Sequence, residues 1–161
     1  EPVLRAFAIP DGYACVGGVG AGHYVKMVHN AIEYGLMQAY GEGFHLLKEG
    51  SYPALDLSKI AHLWGHGSII RSHLLVLLED ILKHTDTIDQ TSGVVNENGT
   101  GRWAALEARR RGVDFSVINT SLEVRARSRE TGGTYATKLV ALLRHAFGGH
   151  AVEKEADKKG E

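Results

Sequence analysis

His23-Tyr24-Val25-Lys26-Met27-Val28-His29-Asn30-Ala31-Ile32-Glu33-Tyr34 opens a run whose pattern stays helical from residue 23 to about residue 48. Gly50 and then Pro53 stop it. At the usual rise per residue the run predicts a helix about 40 Å long. Its apolar residues, among them Val25, Val28, Ile32, Leu36, Ala39, Leu46 and Leu47, spread around the circumference, which predicts burial on several sides. Gly35, Gly41 and Gly43 weaken the helix and so predict close approach of neighbouring backbones.

Lys26, His29, Asn30 and Glu33 stand at i, i+3, i+4 and i+7, which puts them on one face of this helix. On spacing alone, a solvated face with a Lys–Glu pair is the simpler reading. Two features favour a cleft. The flanking residues are apolar, and Asn and His are weak helix formers that a plain exposed face does not call for. A lysine desolvated in a cleft loses basicity and can act as a base near neutrality. A glutamate there can stay protonated and act as an acid. Asn and His can hold a hydroxyl or carboxylate in place. The set suits proton transfer next to a carbonyl.

The rest of the chain extends the helical pattern. Residues 1–12 predict a short helix closed by the turn Pro10-Asp11-Gly12, and residues 13–16 a short strand with Cys15 buried in it. Asp56 or Ser58 caps the next helix, which Gly65-His66-Gly67 interrupts before an apolar continuation over residues 68–84. Residues 85–101 predict a polar loop or short turns, and residues 103–111 a short helix closed by Gly112. Asp114 caps a helix over residues 115–128, and the last helix covers residues 131–147 up to Gly148-Gly149. The charge-alternating end predicts a disordered tail. The expected class is all-α.

Composition sets the limits. The chain has 161 residues, 43% hydrophobic and 23% charged, which is ordinary for one globular domain. A formal net charge of -1 gives no electrostatic case for nucleic acid or an anionic membrane as partner. No apolar run approaches the roughly 18 residues of a membrane span. One cysteine permits no internal disulfide and fits a reducing, cytoplasmic compartment. The opening residues suggest a piece of a longer protein. Gly17-Gly18-Val19-Gly20-Ala21-Gly22 imitates a dinucleotide fingerprint, but His23 stands where a third glycine is needed, and no acidic residue closes a second strand. A tight turn into the long helix explains it better. His62, His66 and His73 lack a metal-binding spacing, so no metal is expected. Arg109-Arg110-Arg111 suits the end of a helix.

The stretch Gly20-Ala21-Gly22-His23-Tyr24-Val25-Lys26-Met27-Val28-His29-Asn30-Ala31-Ile32-Glu33-Tyr34-Gly35 closely resembles the signature of the 6-phosphogluconate dehydrogenases. More distant β-hydroxyacid dehydrogenases keep the lysine and the asparagine four residues on. The added histidine and glutamate point to the phosphogluconate enzymes. Gly99-Thr100-Gly101-Arg102-Trp103 resembles the family's GTGKW or GTGRW element. Arg125 matches its phosphate-binding arginine, and Phe147-Gly148-Gly149-His150, with Arg144 before it, its late histidine motif. The resemblance covers roughly residues 10–152 and is to the short-chain branch. Asn98 stands where longer members carry lysine, and Glu123-Val124 where Phe-Ala is usual.

The resemblance implies a multi-helix domain like the family's C-terminal one, with one long central helix and the N-terminal Rossmann domain absent. Residues 1–18 would be the end of the nucleotide-binding domain or a linker, 19–150 the helical substrate-binding and dimerisation domain, and 151–161 the disordered tail. It implies oxidative decarboxylation of 6-phosphogluconate to ribulose 5-phosphate and carbon dioxide, a pentose phosphate pathway step. Lys26 would take the 3-hydroxyl proton as hydride leaves to NAD or NADP, a cofactor bound mainly by the missing domain. Glu33 would protonate the enediol, while His29 and Asn30 orient the substrate. Tyr34, Thr100 and Arg125 would bind phosphate, aided by Arg144 and His150 from a second subunit of a homodimer or higher homo-oligomer. This chain by itself would be inactive. The alternatives are a related β-hydroxyacid dehydrogenase acting on a small unphosphorylated acid, and a helical dimerisation module without catalysis.

Overall fold

A computed structural model describes residues 2–155, and every regular element among them is a helix. In chain order these are α1 (Pro2–Phe7), α2 (Ala21–Glu49), α3 (Leu57–Gly67), α4 (His73–Leu82), α5 (Thr85–Gln90), α6 (Thr100–Arg111), α7 (Ser116–Thr131) and α8 (Tyr135–Gly148). The all-α class expected from the sequence is found. No described helix is long and apolar enough to cross a membrane.

α2 is the long central helix, and it packs along α8, α6 and α7. Met37, Tyr40 and Phe44 on α2 meet Leu75 and Leu78 of α4 and Leu139, Val140 and Leu143 of α8 in one buried cluster. Gly41 is what allows α8 so close. A Cβ there would stand 2.6 Å from the carbonyl oxygen of Ala136. That is the close approach expected of this glycine. Gly35 and Gly43 carry no comparable contact.

Local chemistry fixes the other ends. Asp56 caps α3 by accepting from the Lys59 amide at 3.0 Å. Ser72 caps α4, and its hydroxyl lies 2.8 Å from the hydroxyl of Tyr40, which ties that turn to α2. Thr134 and Thr137 form a reciprocal capping box at the start of α8.

Several expectations give way. Residues 13–16 form no strand, and Cys15 is exposed: no neighbouring strand is available to pair with them. Gly65 and His66 do not interrupt α3. The break falls at residues 68–72, where the Ser72 cap restarts the helix. The polar segment of residues 85–101 contains α5, held by Ile88 in the core. The last helix starts at Tyr135 rather than residue 131, because Gly132 and Gly133 both take positive φ. The expected tail is not free over residues 151–155. The Ser92 amide donates to the Glu153 carbonyl and the Glu155 amide to that of Gln90, around a bridge between Thr91 and Lys154. The rest of that tail lies outside the described residues. α2 is buried on several sides, as expected, by α8, α6 and α7, while Val25, Ile32 and Leu36 remain about half exposed.

Candidate active site

Successive turns of α2 bring the polar stripe to a common point, the Nδ1 atom of His29. The Lys26 ammonium stands 3.1 Å from it, the Asn30 Oδ1 3.4 Å, and the Glu33 Oε2 3.7 Å. Only one proton arrangement is possible at a time. With Nδ1 bare, Lys26 donates to it as an ammonium. With Nδ1 protonated, the imidazole donates to Asn30, and Glu33 stands at ion-pair distance. The constellation can therefore place a proton on Lys26 or on His29. Shelter is what it lacks: the His29 side chain is 57% exposed and that of Glu33 24%. The cleft expected from the sequence is not closed by this chain, because α6, α7 and α8 cover other sides of α2.

One turn on, Tyr34 leads from this open stripe into a buried polar cluster. The guanidinium of Arg125, on α7, lies over the Tyr34 ring, 3.5 Å from its centroid. The Tyr34 hydroxyl donates to Asn98 Oδ1 at 3.2 Å, and the Thr100 amide donates to the same oxygen at 3.2 Å. Asn98 thus fixes both the tyrosine and the first turn of α6. Gly101 makes the fit possible, since a Cβ there would stand 2.6 Å from the Tyr34 ring.

Arg125 is the largest fully buried side chain, and its Nε, Nη1 and Nη2 have no hydrogen-bond partner. Burial above all, with the charge of Arg144 and against opposing contributions from Tyr34 and Glu97, brings the guanidinium down to about 10. Arg125 is still a cation at neutral pH. Arg144 is buried as well and is also lowered by burial, opposed by Tyr34 and Glu97. His150 is held below its ordinary value by burial and then by the charges of Arg144 and Arg125. A buried cation without a counter-ion is costly. This cluster would be relieved by an anion. Asn98 is exposed and Thr100 and His150 are partly exposed, so the cluster is open to solvent on their side.

The structure gathers Tyr34, Thr100, Arg125, Arg144 and His150 around one cluster. Arg144 and His150 were expected from a second subunit, yet here they stand beside Arg125 of their own chain. α8 packs along α2, and the left-handed turn at Gly149 sends His150 back toward the cluster. The Glu123-Val124 departure is harmless to the site, since both side chains point away from the buried arginine toward solvent or a surface groove. The sequence reading missed Glu97. It forms an ion pair with Arg102, and its other oxygen is buried without a partner. Its position two residues before the glycine element was the only available signal.

The family description "6-phosphogluconate dehydrogenase, C-terminal domain" matches residues 22–161. The chain belongs to the 6-phosphogluconate dehydrogenase family. It is 43% identical over 155 residues to YqeC of Bacillus subtilis, a protein named provisionally as a 6-phosphogluconate dehydrogenase, covering 96% of this chain and 52% of that one. It is also 43% identical to the NAD(+)-dependent, decarboxylating 6-phosphogluconate dehydrogenase of Haloferax volcanii, over 97% of this chain and 52% of that protein. The decarboxylating enzyme of Cunninghamella elegans is 37% identical over 139 residues, 80% of this chain. The chain spans about half the length of the first two relatives. In this 6-phosphogluconate dehydrogenase family chain the glycine bend at residues 17–22 leads directly into α2, with no strand before it among the described residues. No group of three potential metal ligands is assembled among the described residues.

Proposed function

We propose that this chain is the substrate half of an NAD- or NADP-dependent 6-phosphogluconate dehydrogenase that oxidatively decarboxylates 6-phosphogluconate. The observation that carries the reading is the buried, unpartnered Arg125 on Tyr34, one turn from the Lys26–His29–Asn30–Glu33 constellation. A phosphate would supply the missing counter-charge, and the polyol chain would then extend along α2 toward the proton-handling groups. Lys26 acts as base on the 3-hydroxyl. His29 and Asn30 orient the substrate. Glu33 returns a proton to the product enediol. Tyr34, Thr100, Arg125, Arg144 and His150 hold the phosphate. The NAD(+) named for the Haloferax relative would, when bound, supply the hydride acceptor. The steps assigned to this chain are those of the substrate side.

The open stripe needs cover, and α2 suggests its source. Val25, Ile32 and Leu36 fall on one face, about a quarter-turn around the helix from the stripe. They are 48%, 51% and 45% exposed. A second copy packed on this face would bury them and shelter the stripe, which favours a homodimer formed through the helical domain.

The test is titration of the whole protein that contains this chain with 6-phosphogluconate and with gluconate. The phosphorylated acid binds and gluconate does not. Equal binding of the two would favour a β-hydroxyacid dehydrogenase of other specificity, and binding of neither a purely structural helical module.

A further inference from the structure

The cluster around Arg125 contains unmet demands of both signs. Arg125 has three nitrogens without an acceptor, while the Oε2 of Glu97 is a buried acceptor without a donor. Glu97 directly precedes Asn98, whose Oδ1 accepts from the Tyr34 hydroxyl, and the Arg125 guanidinium lies on that same Tyr34 ring, so the two demands belong to one site. Its Oε1 is committed to Arg102. That pair keeps the carboxylate in place and leaves Oε2 as the free position. A phosphate ester without a nearby hydroxyl would answer the arginines and leave the Glu97 oxygen without a donor. A ligand carrying a phosphate and a nearby hydroxyl would answer both, since a carboxylate only accepts.

We propose that Glu97 is a specificity-determining residue, its Oε2 accepting a hydrogen bond from a hydroxyl on the carbon next to the phosphate-bearing carbon of the ligand. The proposal rests on the phosphate reading of the Arg125 cluster. It makes the site selective for phosphate monoesters of polyols over esters lacking that hydroxyl. A site built around a ligand hydroxyl rejects analogues without it, because its own polar atom is then left buried and unpaired.

The experiment compares three probes on the whole protein by calorimetry: inorganic phosphate, propyl phosphate and propane-1,2-diol 1-phosphate. The last two differ by one hydroxyl. The wild type is expected to prefer the diol ester over propyl phosphate by about tenfold. In Glu97→Gln that preference shrinks. Circular dichroism confirms that the variant is folded, and the wild-type preference stands as a test without any variant. Binding of both esters with equal affinity would overturn the role of Glu97 and leave the phosphate site intact. Binding of none of the three would overturn the phosphate site and this inference together.

Discussion

The guanidinium of Arg125 lies 3.5 Å from the centroid of the Tyr34 ring, and none of its nitrogens has a hydrogen-bond partner. A ring face is a weak substitute for a carboxylate, giving about 2 kcal/mol when desolvated. The fold therefore carries a cation that an anionic ligand can stabilise.

Replacing that cation separates function from stability. Arg125→Met should weaken binding of 6-phosphogluconate about 100-fold, as expected when a buried charge-assisted contact is lost. The same change should leave the ligand-free fold unaltered in stability or raise it by about 1 kcal/mol, since an unpaired buried charge has been removed. Calorimetric titration and urea denaturation measure the two effects. A large loss of stability would mean that the stacking on Tyr34 matters more than the vacant charge.

His150 gives the site a pH dependence. Its folded value lies below the ordinary 6.5 because of burial and the charges of Arg144 and Arg125. The unfolded chain thus binds the proton more readily, and this contribution to stability is present above pH 6.5 and is lost as pH falls below it. A bound phosphate reverses the local field and favours the imidazolium. Binding below neutrality should take up a proton, seen as a dependence of the binding heat on the buffer. His150→Gln should lose that uptake, leaving only the proton release expected when the arginines favour the phosphate dianion.

Gly101 sits against the Tyr34 ring, where an added Cβ would stand 2.6 Å away. Gly101→Ala should cost about 1–3 kcal/mol in denaturation. It should also raise the KM for 6-phosphogluconate, because the displaced ring supports Arg125. An unchanged KM would separate Tyr34 from the phosphate site.

The half-exposed apolar face of α2 should be covered in solution. Ile32→Asp would place a charge on it and should convert the homodimer into monomers, with activity falling as the stripe loses its cover. Analytical ultracentrifugation and turnover check this together. A monomeric wild type would refute the arrangement.

The sequence disclosed α2 and the stripe on it because both follow from a single period: 3.6 residues per turn fixes who shares a face with Lys26. It also disclosed caps such as Asp56, whose side chain acts within three residues. It did not disclose where the covered sides of α2 lie. That depends on α6, α7 and α8 returning from 50 to 100 residues away. For the same reason the burial of Arg125 went unread, and so did the company of Arg144 and His150 in the same chain. Glu97 was invisible because its meaning comes entirely from the arginines that fold around it. The strand expected at residues 13–16 failed because a strand needs a partner, and no local pattern reports one.

The proton-handling role of the α2 stripe is tested most directly by steady-state turnover of the whole protein with 6-phosphogluconate and the nicotinamide cofactor. Lys26→Ala and Glu33→Ala should each lower kcat by about 10²–10⁴, the usual contribution of a positioned acid or base, while the affinity for 6-phosphogluconate changes little. Wild-type kcat in either variant would contradict the role given to that side chain.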